Sequence, residues 1–594
     1  GDVIAKSGDT GAGSPHLHYE IRRDMDNVLN PQSFGYVMKD SFPPKILSLL
    51  VMPKDNDAFI FDPKKGLVSS EYVIISPVEK SAGSYELKDT VFVSGKIAMG
   101  IKSFDYQSHE NGNRMGPYVY SLYEGERPIF YARYDSFTYA ETRLVAHAFD
   151  LFVEEWGENR FHRLFKKDYL SAAPFETTAK GAGILELSPG STGYYTIKTS
   201  DFNGNESSLS FYVKWLNKNE QPDIPLRIFD WGGAIIVDPS IDHSAFHMSV
   251  SEDKGVSYGN LVTRVEDNYI SFKGKVGDII KVRYKAENSL SLSLFYSLPA
   301  QSDFIDSNKD TLSKRLFADE NFVFIEITSN NAIGYPKSTE ILPPADYTLT
   351  MNSHREMVYR IPFDGLEEDH YNLRVEFYNG YVGELDFFVA EVSPKGRKLK
   401  RNAIGNLDYI IEFAESTLYE ERKFAIVNDE KSLSIHPANL LLKKNANIWL
   451  ADHSHREDLR DKLCVAKEWN DKLYFSGNEK DSRYGDEFTK ASVNSFGRFY
   501  VEPDTIPPIL KFETLRANKI TYRLEQDDLS GFSDKFLPQT YIDDEWVLTT
   551  YDPEANMCYV MLKKALSKGK HNIRINCSDR AGNISEKTTV LSVE

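Results

Sequence analysis

The sequence predicts a mainly β protein built as a string of β-sandwich, immunoglobulin-like domains. Aromatic residues make up 13% of its 594 residues, with 34 Tyr and 36 Phe, and aromatic side chains favour strands. Short alternating segments recur between turns that contain Asn and Gly, which is typical of sandwiches. The length exceeds what one hydrophobic core serves, so several domains are expected.

Charge, apolar run length and cysteine content argue against a nucleic-acid-binding, a membrane-spanning and a disulfide-rich protein. The net charge of -18 argues against a nucleic-acid partner, because phosphate recognition needs a basic surface. No apolar run reaches the ~20 residues that span a bilayer, so we expect no transmembrane segment in this chain. Three cysteines make no disulfide framework. Cys558 and Cys577 lie in neighbouring strand-like segments and form either a bridge or two buried thiols.

The first predicted unit, residues 1–38, contains His16 and His18 on either side of Leu17. Residues 17–21 alternate as a strand does, and residues two apart on a strand point to the same face. Both imidazoles can therefore converge on one point. Such a pair suits a zinc site, in which one ring binds metal and the other moves a proton or stabilises charge. The alternative is a pair of surface histidines on an edge strand.

The residues around this pair resemble the end of the LytM-type (family M23) zinc metallopeptidase domain. The similar motifs are G-D-T-G at Gly8–Gly11, S-P-H-L-H-Y-E-I-R at Ser14–Arg22 and N-P at Asn30-Pro31. Members of that family cut the peptide cross-bridges or stems of bacterial peptidoglycan. The resemblance implies that His18 is a zinc ligand and His16 a catalytic histidine, with peptidoglycan peptides as the substrate.

The family pattern also has an H-x-x-x-D well upstream, with a further histidine between. The fifteen residues before His16 do not contain these positions. A catalytic zinc takes three protein ligands plus water. We therefore expect the full-length protein to be a Zn²⁺ peptidase, and the 594-residue chain to be inactive and not to retain zinc by itself.

Other histidine pairs do not replace the missing ligands. His453 precedes Glu457 at H-x-x-x-E spacing, but the charged residues that follow predict a solvated turn or loop. His243 and His247 have the i,i+4 spacing of a helix in a strand-rich neighbourhood. We interpret that spacing as accidental.

The second predicted unit, 39–216, begins with D-S-F-P-P at Asp40–Pro44, where two prolines favour an extended linker. Strand-like segments follow, and the stretch from about 139 to 165 is more helical or irregular. The last two strands flank a D-F-N-G-N turn at Asp201–Asn205, in which Asn and Gly tolerate positive φ.

The same two features recur in the last predicted unit, 504–594. D-T-I-P-P at Asp504–Pro508 repeats the opening linker, and D-R-A-G-N at Asp579–Asn583 repeats the turn. We predict two immunoglobulin-like modules with the same first and penultimate connections. Calcium binding by these turns is the alternative to a plain turn, and calcium takes six or more oxygens.

The middle of the chain predicts two further β-rich units, 217–394 and 395–503. A basic run at Lys395–Arg401 lies at their boundary. It predicts a solvated linker, with a site for an anionic polymer or lipid as the alternative.

The whole arrangement is similar to the long LytM-type peptidases of Bacteroidota. The resemblance includes S-F-T-Y-A-E-T-R at Ser136–Arg143 and S-F-G-R-F at Ser495–Phe499. It implies a periplasmic or cell-envelope protein, with membrane anchoring through a missing N-terminus as one option. The second hypothesis is a non-catalytic β-sandwich scaffold for cell-envelope protein partners, because most of the chain lies outside the peptidase tail.

Overall fold

The structure is a computed structural model. It describes residues 19–36, 40–106, 114–139, 142–145, 148–150, 160–167, 182–217, 226–229, 232–236, 243–266, 269–275, 277–284, 289–290, 293–298, 312–331, 333–378, 380–404, 407–481, 483–485, 487–525, 529–531, 538–552 and 555–594.

The predicted mainly β fold is confirmed. The described residues form many sheets, mostly antiparallel, with short 3-10 turns and a four-residue α-helix, α1 (Thr142–Val145). Among them, no helix has the length and apolar character needed to cross a membrane.

The N-terminal segment forms a small three-stranded sheet with a strand of the first sandwich. Its strands are β1 (Ile21–Arg22), β2 (Asn27–Leu29) and β14 (Ser136–Thr138), in the order β1-β2-β14.

The first sandwich packs two sheets over one core. Its strands are β3 (Lys45–Pro53), β4 (Phe59–Asp62), β5 (Leu67–Ser69), β6 (Val73–Ile75), β7 (Val78–Ser81), β8 (Ser84–Glu86), β9 (Val91–Ser94), β10 (Ile97–Tyr106), β11 (Arg114–Met115), β12 (Val119–Glu124), β13 (Arg127–Arg133), β15 (His162–Arg163), β16 (Thr192–Ser200) and β17 (Glu206–Trp215). One sheet has the order β11-β10-β3-β6 and the other β13-β12-β16-β17-β9-β4-β5. Alternate residues of both sheets, such as Val51, Met99, Leu122 and Ile197, meet in the core.

The region predicted as one unit, 217–394, contains two pairs of sheets with separate cores. The first pair consists of β18 (Leu226–Phe229), β19 (Gly232–Ile236), β20 (Phe246–Ser251), β21 (Gly259–Asn260), β22 (Thr263–Glu266), β23 (Tyr269–Lys273), β24 (Ile279–Tyr284) and β25 (Ser293–Ser297). The second consists of β26 (Ser313–Ala318), β27 (Phe322–Thr328), β28 (Pro336–Leu342), β29 (Thr348–Ser353), β30 (Glu356–Pro362), β31 (His370–Phe377) and β32 (Val382–Val392). The domain boundaries themselves stay a prediction.

The next sandwich shares a sheet with its predecessor. Its strands are β33 (Arg397–Ile404), β34 (Leu407–Phe413), β35 (Arg422–Asn428), β36 (Ser432–His436), β37 (Ala446–Asp452), β38 (Leu463–Trp469), β39 (Lys472–Gly477), β40 (Glu479–Lys480), β41 (Thr489–Val493) and β42 (Arg498–Pro503). β32 pairs with β35, so one eight-stranded sheet runs β28-β31-β32-β35-β36-β42-β38-β39. The linker prediction for the basic run was wrong from Arg397 onward, because that part is the edge strand β33.

The C-terminal sandwich consists of β43 (Ile509–Arg516), β44 (Lys519–Glu525), β45 (Gln539–Ile542), β46 (Glu545–Val547), β47 (Thr549–Asp552), β48 (Met557–Val560), β49 (Gly569–Ser578) and β50 (Ile584–Val593). Its sheets are β43-β44-β48-β47 and β46-β45-β49-β50. Cys558 and Cys577 are buried in its core as free thiols, and burial raises the pKa of Cys558 to about 12. Of the two alternatives for these cysteines, the structure has the thiols.

A buried arginine joins the first sandwich to the one that contains β30. The Arg360 guanidinium donates to the backbone oxygens of Ala58 at 2.7 Å, Ser70 at 2.9 Å and Asn56 at 2.8 Å. Beside it, the Ser70 and Thr350 hydroxyls are hydrogen-bonded at 2.8 Å. A charged donor that meets three backbone carbonyls, two of them buried, fixes the relative position of the two sandwiches.

Candidate functional site

The predicted catalytic residue, His16, and the predicted zinc ligand, His18, lie outside the described residues. The described part of their motif begins at Tyr19 and continues into β1.

The segment after the histidines is a strand whose hairpin partner pairs with the first sandwich. In the register of β1 and β2, Ile21 lies opposite Leu29. On the other edge of β2, Val28 lies opposite Phe137 of β14. The N-P motif ends the hairpin, because the Asn30 side chain accepts the Gln32 N–H at 3.0 Å and caps a 3-10 turn.

Two motif residues contact the S-F-T-Y segment directly. The Tyr139 hydroxyl is 2.9 Å and 2.8 Å from the two Glu20 carboxylate oxygens. Arg22 Nη2 donates to the same hydroxyl at 2.7 Å, and the guanidinium lies 4.8 Å from the centre of the Tyr139 ring. The hydrogen bond to Glu20 raises the pKa of Tyr139. Strand pairing and this exposed polar cluster both attach the motif to the sandwich.

The same segment reaches a distant part of the molecule at its other end. Arg143, on α1, donates to the backbone oxygens of Leu442 at 3.0 Å and Lys443 at 3.2 Å. Ser136–Arg143 thus links the N-terminal strands to the sandwich that begins at β33. The sequence contained these residues as a motif, but their partners could not be predicted because they lie more than 100 positions away.

A buried histidine behind this junction has a structural role. His162 stacks on Tyr120 with 3.8 Å between ring centres. Its Nδ1 is 2.7 Å from the Arg163 carbonyl oxygen, which can only accept, so Nδ1 carries the proton and Nε2 accepts from Tyr134 at 2.8 Å. Burial lowers the pKa of His162 to about 3. Both ring nitrogens are engaged, so this histidine does not supply the missing zinc ligand.

One group of three acidic side chains in the described residues has the spacing of metal ligands. Carboxylate oxygens of Asp40, Asp105 and Asp201 lie within 4.8 Å of one another. Burial, followed by the charges of Asp201 and Asp40, raises the pKa of Asp105 to about 7. Carboxylate oxygens are the typical ligands of hard cations such as calcium, whereas the zinc site expected here has histidine ligands. Three of them fall short of the six or more oxygens that calcium takes, and we assign no metal to them.

Two members of this acidic group, Asp40 and Asp201, belong to the repeated motifs, whose contacts match in the two modules. Asn205 donates to the Asp40 carbonyl at 3.1 Å and to the Asp201 carboxylate at 2.7 Å. Asn583 donates to the Asp504 carbonyl at 3.0 Å and to the Asp579 carboxylate at 2.8 Å. The predicted repeat of linker and turn is confirmed.

The modules differ in the third partner of this cluster. In the C-terminal module the Ser530 N–H donates to the Asp504 carboxylate at 2.8 Å. In the first module the third member is the Asp105 carboxylate, which cannot donate when ionised. The sequence does not mark Asp105, because nothing in the pattern of β10 indicates a carboxylate that faces a linker 65 positions upstream.

The chain matches no family model and no curated protein. Among solved structures, it is similar to the human desmocollin-1 ectodomain at 10% identity, over 83% of this chain and 95% of that one, with a TM-score of 0.12. Domains 4–9 of the surface layer protein SbsC match at 9% identity, over 91% and 81%, with a TM-score of 0.15. A Salmonella alpha-2-macroglobulin mutant matches at 8% identity, over 96% and 52%, with a TM-score of 0.17. Nothing is inferred from scores this low.

Proposed function

We propose that the parent protein is a zinc endopeptidase that cuts peptide cross-links of peptidoglycan in the periplasm or cell envelope. In this proposal His18 is a metal ligand and His16 is the catalytic histidine. The observation that carries it is the S-P-H-L-H-Y-E-I-R motif at Ser14–Arg22, preceded by G-D-T-G at Gly8–Gly11. The combination is more specific than a two-histidine motif, which has a high false-positive rate.

Among the residues that the structure describes, no cluster offers the histidine-type donors of a catalytic zinc site. One histidine ligand falls two short of the three protein ligands that such a site takes. The three-carboxylate cluster belongs to the linker of the first sandwich and has the wrong donor chemistry. In this proposal the remaining zinc ligands come from residues N-terminal to Gly1.

The junction supports a positioning role for the first sandwich in this proposal. A peptidase strand must hold its side chains within fractions of an ångström for catalysis. Glu20 and Arg22, which follow the histidines in the motif, bind Tyr139, and β2 pairs with β14. The sandwich would thereby fix the strand end nearest to the catalytic residues.

The test uses a longer protein that includes residues N-terminal to Gly1, with purified cross-linked peptidoglycan peptides as substrate. We expect cleavage by the wild type, no cleavage and no bound zinc in His18→Ala, and no cleavage with zinc retained in His16→Ala. His247→Ala is the matched control, because His247 is exposed on β20, and it should cut as the wild type does. The 594-residue chain should not cut.

Three outcomes would refute this function. They are an inactive longer protein, cleavage by His18→Ala at the wild-type rate, and cleavage by the 594-residue chain. The last would mean that cleavage does not need upstream zinc ligands.

A non-catalytic envelope scaffold is the second candidate. The bridge from Arg360 to three carbonyls of the first sandwich favours it, because a scaffold needs fixed spacing between its modules. A longer protein that holds no zinc and cuts nothing, but that co-purifies with cell-envelope proteins, would support the scaffold over the peptidase.

A further inference from the structure

A large polar groove lies between the sandwich that contains β26 and the sandwich that begins at β33. It is bounded by β26 on one side and by β36, β38 and the start of β42 on the other. Its volume of ≈ 660 Å³ is within the range of roughly 300–1,000 Å³ that is typical of small-ligand sites. The groove is separate from the N-terminal junction and from the acidic cluster of the first sandwich.

The S-F-G-R-F motif at Ser495–Phe499 builds one wall of this groove. Phe496 and Phe499 are fully buried and anchor the segment in the core. Between them, Gly497 has a φ of +148°, and a Cβ there would lie 2.8 Å from Cε of Lys467. Any larger residue would displace this lysine. Because Gly497 has no side chain, the Lys467 side chain can pass over the Gly497 backbone. Its ammonium then donates to the Ser495 hydroxyl at 2.9 Å.

The arginine of the motif is held in a fixed orientation. Arg498 Nε donates to the Ser432 hydroxyl at 2.8 Å, and Nη2 donates to Asp429 at 2.9 Å. The guanidinium lies 5.2 Å from the centre of the Tyr500 ring. Its Nη1 is 3.8 Å from the Glu468 carboxylate, beyond hydrogen-bond distance. An oriented guanidinium recognises a carboxylate at low entropic cost.

The groove has a positive excess on a strongly acidic protein. Its lining includes four cations, Lys314, Arg315, Lys467 and Arg498, against three carboxylates, whereas the whole chain carries -18. The excess over the lining is one positive charge; Asp429 pairs with Arg498, and Glu468 accepts a hydrogen bond from the Tyr500 hydroxyl at 3.1 Å. The local charge favours an anionic ligand.

Neutral groups of the lining specify the rest of the ligand. Trp469 lines the groove at the end of β38 and Asn470 is next to it, and Ser434 and Asn439 also belong to the lining. An indole offers a flat apolar face for the C–H face of a sugar ring, and amides and hydroxyls match sugar hydroxyls in both donor and acceptor roles.

We propose that this groove binds an acidic saccharide. The carboxylate lies against Arg498 and Lys467, and a sugar ring lies on Trp469. The site belongs to the 594-residue chain and does not depend on the peptidase function, so the two can fail separately.

Calorimetric titration of the 594-residue chain tests this with three small probes. N-acetylglucosaminyl-N-acetylmuramic acid carries one carboxylate on a disaccharide. N,N′-diacetylchitobiose, called chitobiose below, is the matched neutral disaccharide without the carboxylate. L-alanyl-D-glutamate has carboxylates but no sugar ring. We expect the acidic disaccharide to bind about tenfold or more tightly than chitobiose, and the dipeptide to bind no better than chitobiose.

The variants separate charge recognition from stacking. Arg498→Gln should weaken the acidic disaccharide about tenfold and leave chitobiose unchanged, and Trp469→Ala should weaken both sugars. Lys472→Gln also removes one positive charge, from an exposed position of the β38–β39 hairpin that contains Trp469. It should change the binding of neither disaccharide. If Arg498→Gln unfolds, Lys467→Gln replaces it with the same expectation.

Equal binding of the two disaccharides would overturn the proposal, as would no binding of either at millimolar concentration. Dipeptide binding as tight as that of the acidic disaccharide would assign the groove to peptides instead. An equal loss in Lys472→Gln would show that the effect is general electrostatics.

Discussion

Replacing Asp105 by Asn should stabilise the first sandwich at alkaline pH. Asp105 is 7% exposed, and its carboxylate faces those of Asp40 and Asp201. Burial, reinforced by these two charges, raises its pKa from 3.8 to about 7. Asn has nearly the same shape and removes the charge that this site disfavours.

The direction of the effect follows from proton linkage. A carboxyl whose pKa is raised in the folded state binds its proton more tightly there than in the unfolded chain. Its stabilising contribution is therefore complete below about pH 4 and is lost as the pH rises to about 7. A rise from 3.8 to about 7 corresponds to about 4 kcal/mol. The Asn oxygen accepts the Tyr106 N–H more weakly than the carboxylate does, which offsets part of this gain, so we expect Asp105→Asn to gain about 2 kcal/mol at pH 8.

Hydrogen exchange with mass spectrometry measures this gain where it arises. Peptides from β10 should exchange about 30-fold more slowly in Asp105→Asn than in the wild type at pH 8, after correction for intrinsic rates, because 2 kcal/mol is a factor of about 30. The two proteins should match at pH 4. All samples contain a chelator, so that no cation screens the three carboxylates. Peptides from β44 serve as the internal reference, because Ser530 replaces the third carboxylate in that module.

Asp89→Asn is the matched control. Asp89 is exposed in the same sandwich, so the same change of charge should leave β10 protection unchanged at both pH values. Faster exchange in Asp105→Asn at pH 8, or an equal gain at pH 4 and pH 8, would refute the electrostatic explanation.

Three further substitutions test other parts of the structure. Arg360→Met removes the donor to three backbone carbonyls and should lower the free energy of unfolding by about 3 kcal/mol in urea titrations, whereas the exposed Arg374→Met should change it by less than about 0.5 kcal/mol. Asn583→Ala removes the side chain that joins linker and turn in the C-terminal module, and calorimetry should show that transition destabilised by about 2 kcal/mol. The pKa of His162, lowered to about 3, means that the wild type loses stability as the pH falls below about 6.5. In thermal denaturation, His162→Phe should be less stable than the wild type at pH 7. Its melting temperature should also depend less on pH between pH 6.5 and pH 4.

A different result would contradict each of these three predictions. Equal effects of the two arginine variants would mean that the bridge between sandwiches contributes nothing. An unchanged calorimetric transition in Asn583→Ala would remove the stabilising role of the repeated turn. A His162→Phe curve parallel to that of the wild type would assign the acid sensitivity to other groups.

The sequence predicted features that depend on local chemistry. Alternation and turn residues predicted the β-sandwich class, and the D-x-x-P-P and D-x-x-G-N motifs predicted a repeat whose contacts at Asn205 and Asn583 match. These signals are local because a turn and an extended linker each depend on a few neighbouring residues.

Long-range contacts escaped prediction. The pairing of β2 with β14 and the contact of Glu20 with Tyr139 join residues more than 100 positions apart, and no periodicity marks such a partner. The basic run from Arg397 was predicted as a linker because charge runs are usually solvated. It is an edge strand, in which Arg397 pairs with Glu368 and the Lys398 ammonium lies 3.9 Å from the centre of the Tyr484 ring. Exposed edge strands accommodate such charge, so charge alone did not distinguish strand from linker.

The zinc content of the longer protein tests the central claim most directly. We predict one zinc per chain for the wild type and for His247→Ala, measured by mass spectrometry of the metal after exhaustive dialysis, and less than a tenth of that for His18→Ala. Equal zinc in His18→Ala and the wild type, or no zinc in either, would contradict the assignment of His18 as a ligand and, with it, the peptidase.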